Sequence, residues 1–187
     1  MGIQETLESA SGELEAKSSL VRESRAKSEE AVRLCGRAMQ LAHAGRMEES
    51  KSLINDAHRI ISSLESREAG ALIAQQEYVE AVALISFLEG SEIPHYSKLG
   101  VSPEAFLLGM CDALGELRRE IVEHMRKDDY ATATRLFEEM SGIYELMLPM
   151  RFSNSLLPGF RRKLDVGRSS VEQCRRDLLM YKISKNI

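Results

Sequence analysis

Tryptophan is absent from this chain, and aromatic residues make up only 5% of its 187 residues. Proline occurs four times and glycine twelve. A shortage of aromatic and turn-forming residues, beside abundant Ala, Leu, Glu, Arg and Ser, points to an all-helical chain. The three cysteines, Cys35, Cys111 and Cys174, are odd in number and far apart, which excludes a disulfide framework or a zinc knuckle. They read as small buried hydrophobes in a reducing cytosol. His43, His58, His95 and His124 show no ligand spacing, and His43 and His58 sit near helix ends or on polar faces. No Gly-rich phosphate loop, Ser/His/Asp arrangement or cysteine-nucleophile signature is found. Residues 1–28 are polar and charged, so no secretory leader is expected, and no apolar stretch lacks charge for long enough to span a bilayer. The expectation is a cytoplasmic protein with no membrane partner.

What is present has the balance of a globular domain: 43% hydrophobic, 29% charged, net charge −4. That length suits a single domain, residues 1–187. Charge is unevenly spread. Residues 151–187 hold nine Lys/Arg against three acids, a net +6, leaving −10 on the remainder. Such asymmetry hints at a polyanion partner or a self-complementary assembly.

Periodicity predicts a long first helix to about Ala44, stopped by Gly45. A second covers residues 47–64 and a third about 68–88, apolar nearly all round and therefore central. Residues 90–101 form the clear loop. Ser102-Pro103 opens a fourth helix, with Ser as N-cap, running to about Arg126. A fifth starts near Asp128-Asp129 and ends before Pro149, and a last one runs from about Pro158 to Lys182. Apolar residues crowd the Pro149 and Pro158 turns, among them Leu146, Met147, Leu148, Met150, Phe152, Leu156, Leu157 and Phe160. A monomer would expose part of them, so this junction is expected to pack against a neighbouring subunit.

Against that background four carboxylates stand out. Glu77 and Glu80 fall in the most apolar stretch of the third helix; Asp112 and Glu116 fall in that of the fourth. Each pair shares a helix face, at i,i+3 and i,i+4, where like charges repel. Buried charge is costly unless compensated. Two facing helices with such pairs would form an oxygen-rich pocket suited to a hard divalent cation. A solvated stripe, or ion pairs with arginines, accounts for the same pattern. Arg119, at i+7 from Asp112, could neutralise the acids or clamp a phosphate, or could be a plain exposed arginine. Glu120 and Glu123 read as surface, and Tyr78 as core. Two basic stripes complete the inventory: Arg161, Arg168 and Arg175 at seven-residue spacing, and Arg22, Arg25 and Arg33 with Arg37 on the first helix. They are solvated faces or linings for a nucleic-acid backbone without base specificity.

The run Gln76-Glu77-Tyr78-Val79-Glu80-Ala81-Val82 resembles a segment of the TRAX branch of the translin/TRAX family. Leu107-Leu108-Gly109, Asp112 and Gly115-Glu116-Leu117 resemble that branch's second acidic helix. Arg22, Ser28 and Arg37 are similar to first-helix positions of the family, and Arg119 with Asp129-Tyr130 to a feature shared with translin. The resemblance extends from about Val21 to Leu179. The Glu77 motif is specific; the remainder is a looser pattern.

It implies a translin-like, all-α single-domain bundle of about six to seven helices. It also implies assembly into a hollow homo-oligomer, an octamer, that encloses RNA or single-stranded DNA. The metal-binding acids of the family carry over to Glu77, Glu80, Asp112 and Glu116. The activity implied is a Mg²⁺- or Mn²⁺-dependent endoribonuclease acting on single-stranded RNA, with Arg119 at the scissile phosphate. The alternative is a translin-like shell that binds RNA or single-stranded DNA without cutting it. The chain departs from TRAX in lacking the long insertion after the acidic helix, where only residues 90–101 stand, and in lacking a nuclear-targeting basic run. That resembles a compact, archaeal-type member.

Overall fold

The computed structural model describes residues 2–64 and 70–185. These form seven helices and no strand: α1 (Ile3–His43), α2 (Met47–Ile61), α3 (Ala71–Glu89), α4 (Tyr96–Leu99), α5 (Pro103–Arg126), α6 (Tyr130–Met147) and α7 (Phe160–Lys185). The expected boundaries hold to within a few residues. The exception is the 90–101 loop, which contains the one-turn α4. The expected start of the third helix at Glu68 lies outside the described residues.

Local chemistry explains the ends. Ser102 caps α5 by accepting a hydrogen bond from the Ala105 N–H, with Pro103 at the first helical position. Asp129, not Asp128, caps α6, accepting from the Thr132 N–H. Helix α3 is closed by Gly90 in the left-handed region, φ 65°.

The central layer is α3 against α5. Helices α1 and α2 pack on the α3 side, and α6 and α7 on the α5 side. Helix α3 is long and apolar enough to cross a membrane by composition, but it is packed in the middle of the bundle and carries Glu77 and Glu80. Two glycines permit the close approaches that matter. A Cβ on Gly109 would stand 2.6 Å from the Gln76 carbonyl oxygen and 2.8 Å from Val79 Cβ. One on Gly167 would stand 2.6 Å from Leu114 Cδ1. Gly109 therefore lets the backbone of α5 rest on α3 one turn before Asp112, and Gly167 does the same for α7 on α5.

Helix α1 is half inside the bundle and half outside. Its buried residues, Ser24, Ser28, Ala31, Cys35, Ala38 and Ala42, step by four and three. The same register continues backwards through Val21, Leu14, Leu7 and Ile3, all exposed. This is a coiled-coil-like seam whose first half is uncovered among the described residues. At the other expected junction, Met147, Leu157 and Phe160 turn inwards and are buried, while Leu146, Leu148, Phe152 and Leu156 remain exposed. Part of the apolar cluster is thus intrachain core, and part is uncovered surface.

Candidate functional site

Gln76, Glu77 and Glu80 from α3 and Cys111, Asp112 and Gly115 from α5 form one wall of a cavity of about 590 Å³. The opposite wall is Gly159 and the first half of α7: Arg162, Lys163, Val166, Gly167 and Ser170. Of the four acids singled out in the sequence, Glu77, Glu80 and Asp112 line this cavity; Glu116, one turn beyond Asp112 on α5, does not, though its charge reaches Glu77 and Glu80. Their surroundings differ.

Asp112 is fully engaged. Lys163 Nζ donates to both of its carboxylate oxygens at 2.6 Å, and Gln76 Nε2 donates to Oδ2 at 2.6 Å. Glu116 meets His43 Nε2 at 2.5 Å, with Arg119 3.8 Å away. The same imidazole bonds Glu120 through Nδ1. The hydrogen bond from His43 draws the Glu116 carboxyl below its ordinary range, against the opposing effect of burial. Burial pulls the imidazolium of His43 down, but its bonds to Glu116 and Glu120 overcome this and push it up to about 9.

Glu77 and Glu80 have no hydrogen-bond or ion-pair partner among the described residues. Burial, then the charge of Asp112, raises Glu77, with Lys163 opposing. Burial and the charges of Glu77, Asp112 and Glu116 push Glu80 up to about 8. Cys35 and Cys111 lie close by. Burial pushes both thiols up to about 12, aided by Glu77 and Glu80 for Cys35 and by Asp112 for Cys111, so neither is a nucleophile. All three cysteines are buried and unbridged. Tyr78 is core, donating or accepting at 3.1 Å with His58 Nδ1.

Several side chains stand elsewhere than the sequence pattern suggests. Arg119 is 62% exposed and lines a neighbouring cavity with His43, Arg118 and Glu120, not the one holding Glu77 and Glu80. Glu120, read as surface, is buried at 5% exposure, because His43 draws it in. Arg161, Arg168 and Arg175 lie about half a turn around α7 from the cavity-lining Lys163, Val166 and Ser170. Arg161 and Arg168 border a groove with Tyr144 and Phe152, Arg168 pairs with Glu172, and Arg175 lies over the Phe137 ring. On α1, Arg25 and Arg33 pair with Glu29 and Glu30, Arg22 bonds Ser18, and Arg37 is exposed. The basic groups that do face the acids are Arg162 and Lys163. The only sequence signal for them is three consecutive cations, Arg161 to Lys163, in the first turn of α7, where the helix dipole disfavours positive charge.

The donor set fits a hard divalent cation in kind: several carboxylates, a lone thiol, Cys111, that burial keeps protonated, and two acids held together with no bonded partner among the described residues. Among the described residues, however, no three His, Cys, Asp or Glu side chains converge into a preformed cage. The reason is visible: Lys163 and His43 hold Asp112 and Glu116.

A model of the Translin family matches residues 3–184. An uncharacterised protein of Methanocaldococcus jannaschii is 33% identical over 108 residues, which is 57% of this chain and 48% of that protein. The chain thus matches about half the length of this curated relative. Among solved structures, AfC3PO in complex with duplex RNA superposes with a TM-score of 0.86 at 31% identity, covering 96% of this chain and 97% of that one. The crystal structure of AfC3PO gives 0.85 at 30% identity over 97% and 100%. Apo-NeC3PO, at 20% identity, TM-score 0.82 and coverage of 97% and 98%, shares the fold.

Proposed function

The chain belongs to the Translin family, and from that premise we propose that it is a Mg²⁺- or Mn²⁺-dependent endoribonuclease. Its substrate is single-stranded RNA enclosed in a homo-oligomeric, octameric shell in the cytoplasm. The observation that carries the reading is the cavity where uncompensated Glu77 and Glu80 face Asp112. An RNA-bound relative of closely similar fold supports the RNA part of the reading.

Glu77, Glu80, Asp112 and Glu116 would hold the cation, directly or through water. When bound, the cation would neutralise charge on the scissile phosphate and make an attacking water more acidic. Glu80, pushed up to about 8 by burial and then by the neighbouring carboxylates, would serve, once ionised, as the general base for an attacking water. Hydrolysis then consumes one water and breaks one P–O bond. Arg119, one cavity away, suits a flanking phosphate better than the scissile one. The arginines of α1 and α7 contact the backbone of the strand further out. The uncovered α1 seam and the exposed Leu146, Leu148, Phe152 and Leu156 supply the subunit contacts.

A second reading, a binding shell without cleavage that also takes single-stranded DNA, is favoured by the Lys163–Asp112 bond, which leaves no preformed cage. Incubating labelled single-stranded and duplex RNA with the protein in Mn²⁺, Mg²⁺ or chelator separates the two. Metal-dependent internal cuts, lost in Glu80→Gln, support the nuclease. RNA retention with no cuts in any metal supports the binding shell. Light scattering showing a stable monomer at micromolar concentration would remove the enclosed-cavity picture.

A further inference from the structure

The first turn of α7 is electrostatically wrong for a helix. Arg161, Arg162 and Lys163 follow one another at the positive end of the helix dipole, and no acid stands in that turn. Local conflicts of this kind are tolerated where something else requires them. Here the turn forms one wall of the cavity, and the carboxylates of α3 and α5 form the other. Besides the packing of Gly167 on Leu114, the walls are joined among the described residues by the bonds of Lys163 Nζ to both oxygens of Asp112.

A lysine ammonium is a compact point charge on a flexible stem. On Asp112 it occupies the same two oxygens that a divalent cation would need. Released, it stands beside Arg162 at the amino end of a 26-residue helix, a natural seat for a phosphate oxygen. We propose that Lys163 is an exchangeable counter-ion that couples the two ligands of this site. It sits on Asp112 in the free protein and moves to an RNA phosphate when a divalent cation takes Asp112. This rests on the metal-site reading above. It adds that the apparent absence of a cage is a built-in competition, and that RNA and cation each relieve it for the other. By linkage the coupling is reciprocal: RNA tightens the cation by the factor by which the cation tightens RNA.

The test measures Mn²⁺ binding by the paramagnetic resonance of the free ion, with and without a cleavage-resistant 2′-O-methyl RNA oligonucleotide. It uses the full chain in its native assembly. Wild type should bind Mn²⁺ about tenfold more tightly with the RNA present. Lys163→Met should bind Mn²⁺ about tenfold more tightly than wild type without RNA, a difference of about 1.4 kcal/mol, and should gain little from RNA. Lys163→Gln, which keeps a hydrogen-bond donor and removes the charge, should behave likewise and guards against misfolding of the methionine variant. A merely structural role for Lys163 would weaken Mn²⁺ binding or leave it unchanged. If both variants match wild type in Mn²⁺ affinity and in the effect of RNA, while Asp112→Asn abolishes Mn²⁺ binding, the exchange is wrong and the metal site stands. If wild type binds no Mn²⁺, or Asp112→Asn and Glu80→Gln bind it as wild type does, the metal site itself is wrong and the exchange falls with it.

Discussion

The two acidic pairs have nearly the same spacing and come from adjacent helices, and Glu77, Glu80 and Asp112 share one cavity, yet the pairs live in opposite electrostatic worlds. The α5 pair is met from three directions: Lys163 from α7, Gln76 from α3 and His43 from α1. The α3 pair has no hydrogen-bond or ion-pair partner among the described residues, and burial and then the neighbouring carboxylates push Glu80 up to about 8 against the charge of Lys163. The difference has a simple origin. Helix α3 is central, so its polar faces see other parts of the same bundle, which are mostly hydrocarbon. Helix α5 has basic neighbours on two sides. The free protein thus satisfies half of the constellation with basic partners and leaves the other half in surroundings that resist its ionisation, a resistance that a divalent cation would relieve.

The sharpest test of that contrast compares Glu80→Gln with Asp112→Asn. Both should lose RNA cleavage by at least about a hundredfold, since the amide neither holds a cation nor takes a proton. Their stabilities should move in opposite directions. Glu80→Gln removes a carboxyl that must take up a proton on folding at neutral pH, and should raise Tm there by a few degrees. Asp112→Asn strands the Lys163 ammonium and should lower Tm. Equal stability changes measured by circular dichroism would erase the distinction between the pairs. Near wild-type cleavage in either variant would move the chemistry elsewhere.

His43 is the next lever. Its ring is 8% exposed and bonds Glu116 and Glu120, the latter 7% exposed. His43→Leu would leave two carboxylates without their cation in a poorly solvated place. Removing one partner of a buried pair costs about 3 to 5 kcal/mol, so a large drop in Tm is expected. A Tm within a degree of wild type would show that Glu116 and Glu120 need no partner, and the compensated wall would be no different from the bare one.

How much of this was visible beforehand depends on whether the information was local. Glu77, Glu80, Asp112 and Glu116 are legible because two charges on one face of an apolar helix form a pattern within a few residues. The helix ends at Ser102-Pro103 and Asp129 are legible for the same reason. The partners are not. His43 lies 73 residues from Glu116, and Lys163 lies 51 from Asp112. No spacing rule spans such distances. The α7 stripe misleads because a seven-residue repeat says which residues share a face, not which way that face points. Gly167 resting on Leu114 turns the stripe away from the cavity. Glu120 looks like surface because its neighbours in sequence are polar; only the long-range histidine buries it.

The pH dependence of stability separates the two walls further. Glu80 has a folded-state pKa raised from 4.5 to about 8, so the native state holds its proton more tightly and stability falls as pH climbs between those values. His43 is raised from 6.5 to about 9, so its contribution is full below 6.5 and is lost as pH rises through 9. Glu116 is lowered, so its contribution is present at neutral pH and is lost only in acid. Wild-type Tm should therefore decline by several degrees from about pH 5 to pH 9. Glu80→Gln should flatten the lower part of that decline and keep the part due to His43. A Tm that rises across the interval in wild type, or a Glu80→Gln curve parallel to it, would show that the bare pair titrates normally.

The smallest effect concerns how the strand is held, and it asks which wall of α7 the backbone follows. Phosphate contacts release counterions, so the log–log salt dependence of single-strand binding steepens by about 0.7 per contact. Arg162 lines the cavity and has no acidic partner among the described residues, whereas Arg168 on the far side of the helix is already paired with Glu172. In a fluorescence-anisotropy salt series with RNA in chelator, Arg162→Ala should flatten the slope by about one contact and weaken all sequences alike. Arg168→Ala should flatten it less, because its charge is partly spent on Glu172. Glu77→Gln should leave the slope unchanged and tighten binding slightly, since without a cation the bare pair repels the strand. If Arg161→Ala, Arg168→Ala and Arg175→Ala each flatten the slope while Arg162→Ala does not, the backbone runs along the outer stripe. The strand would then pass the acidic wall at a distance, and neither pair of carboxylates could reach its phosphates.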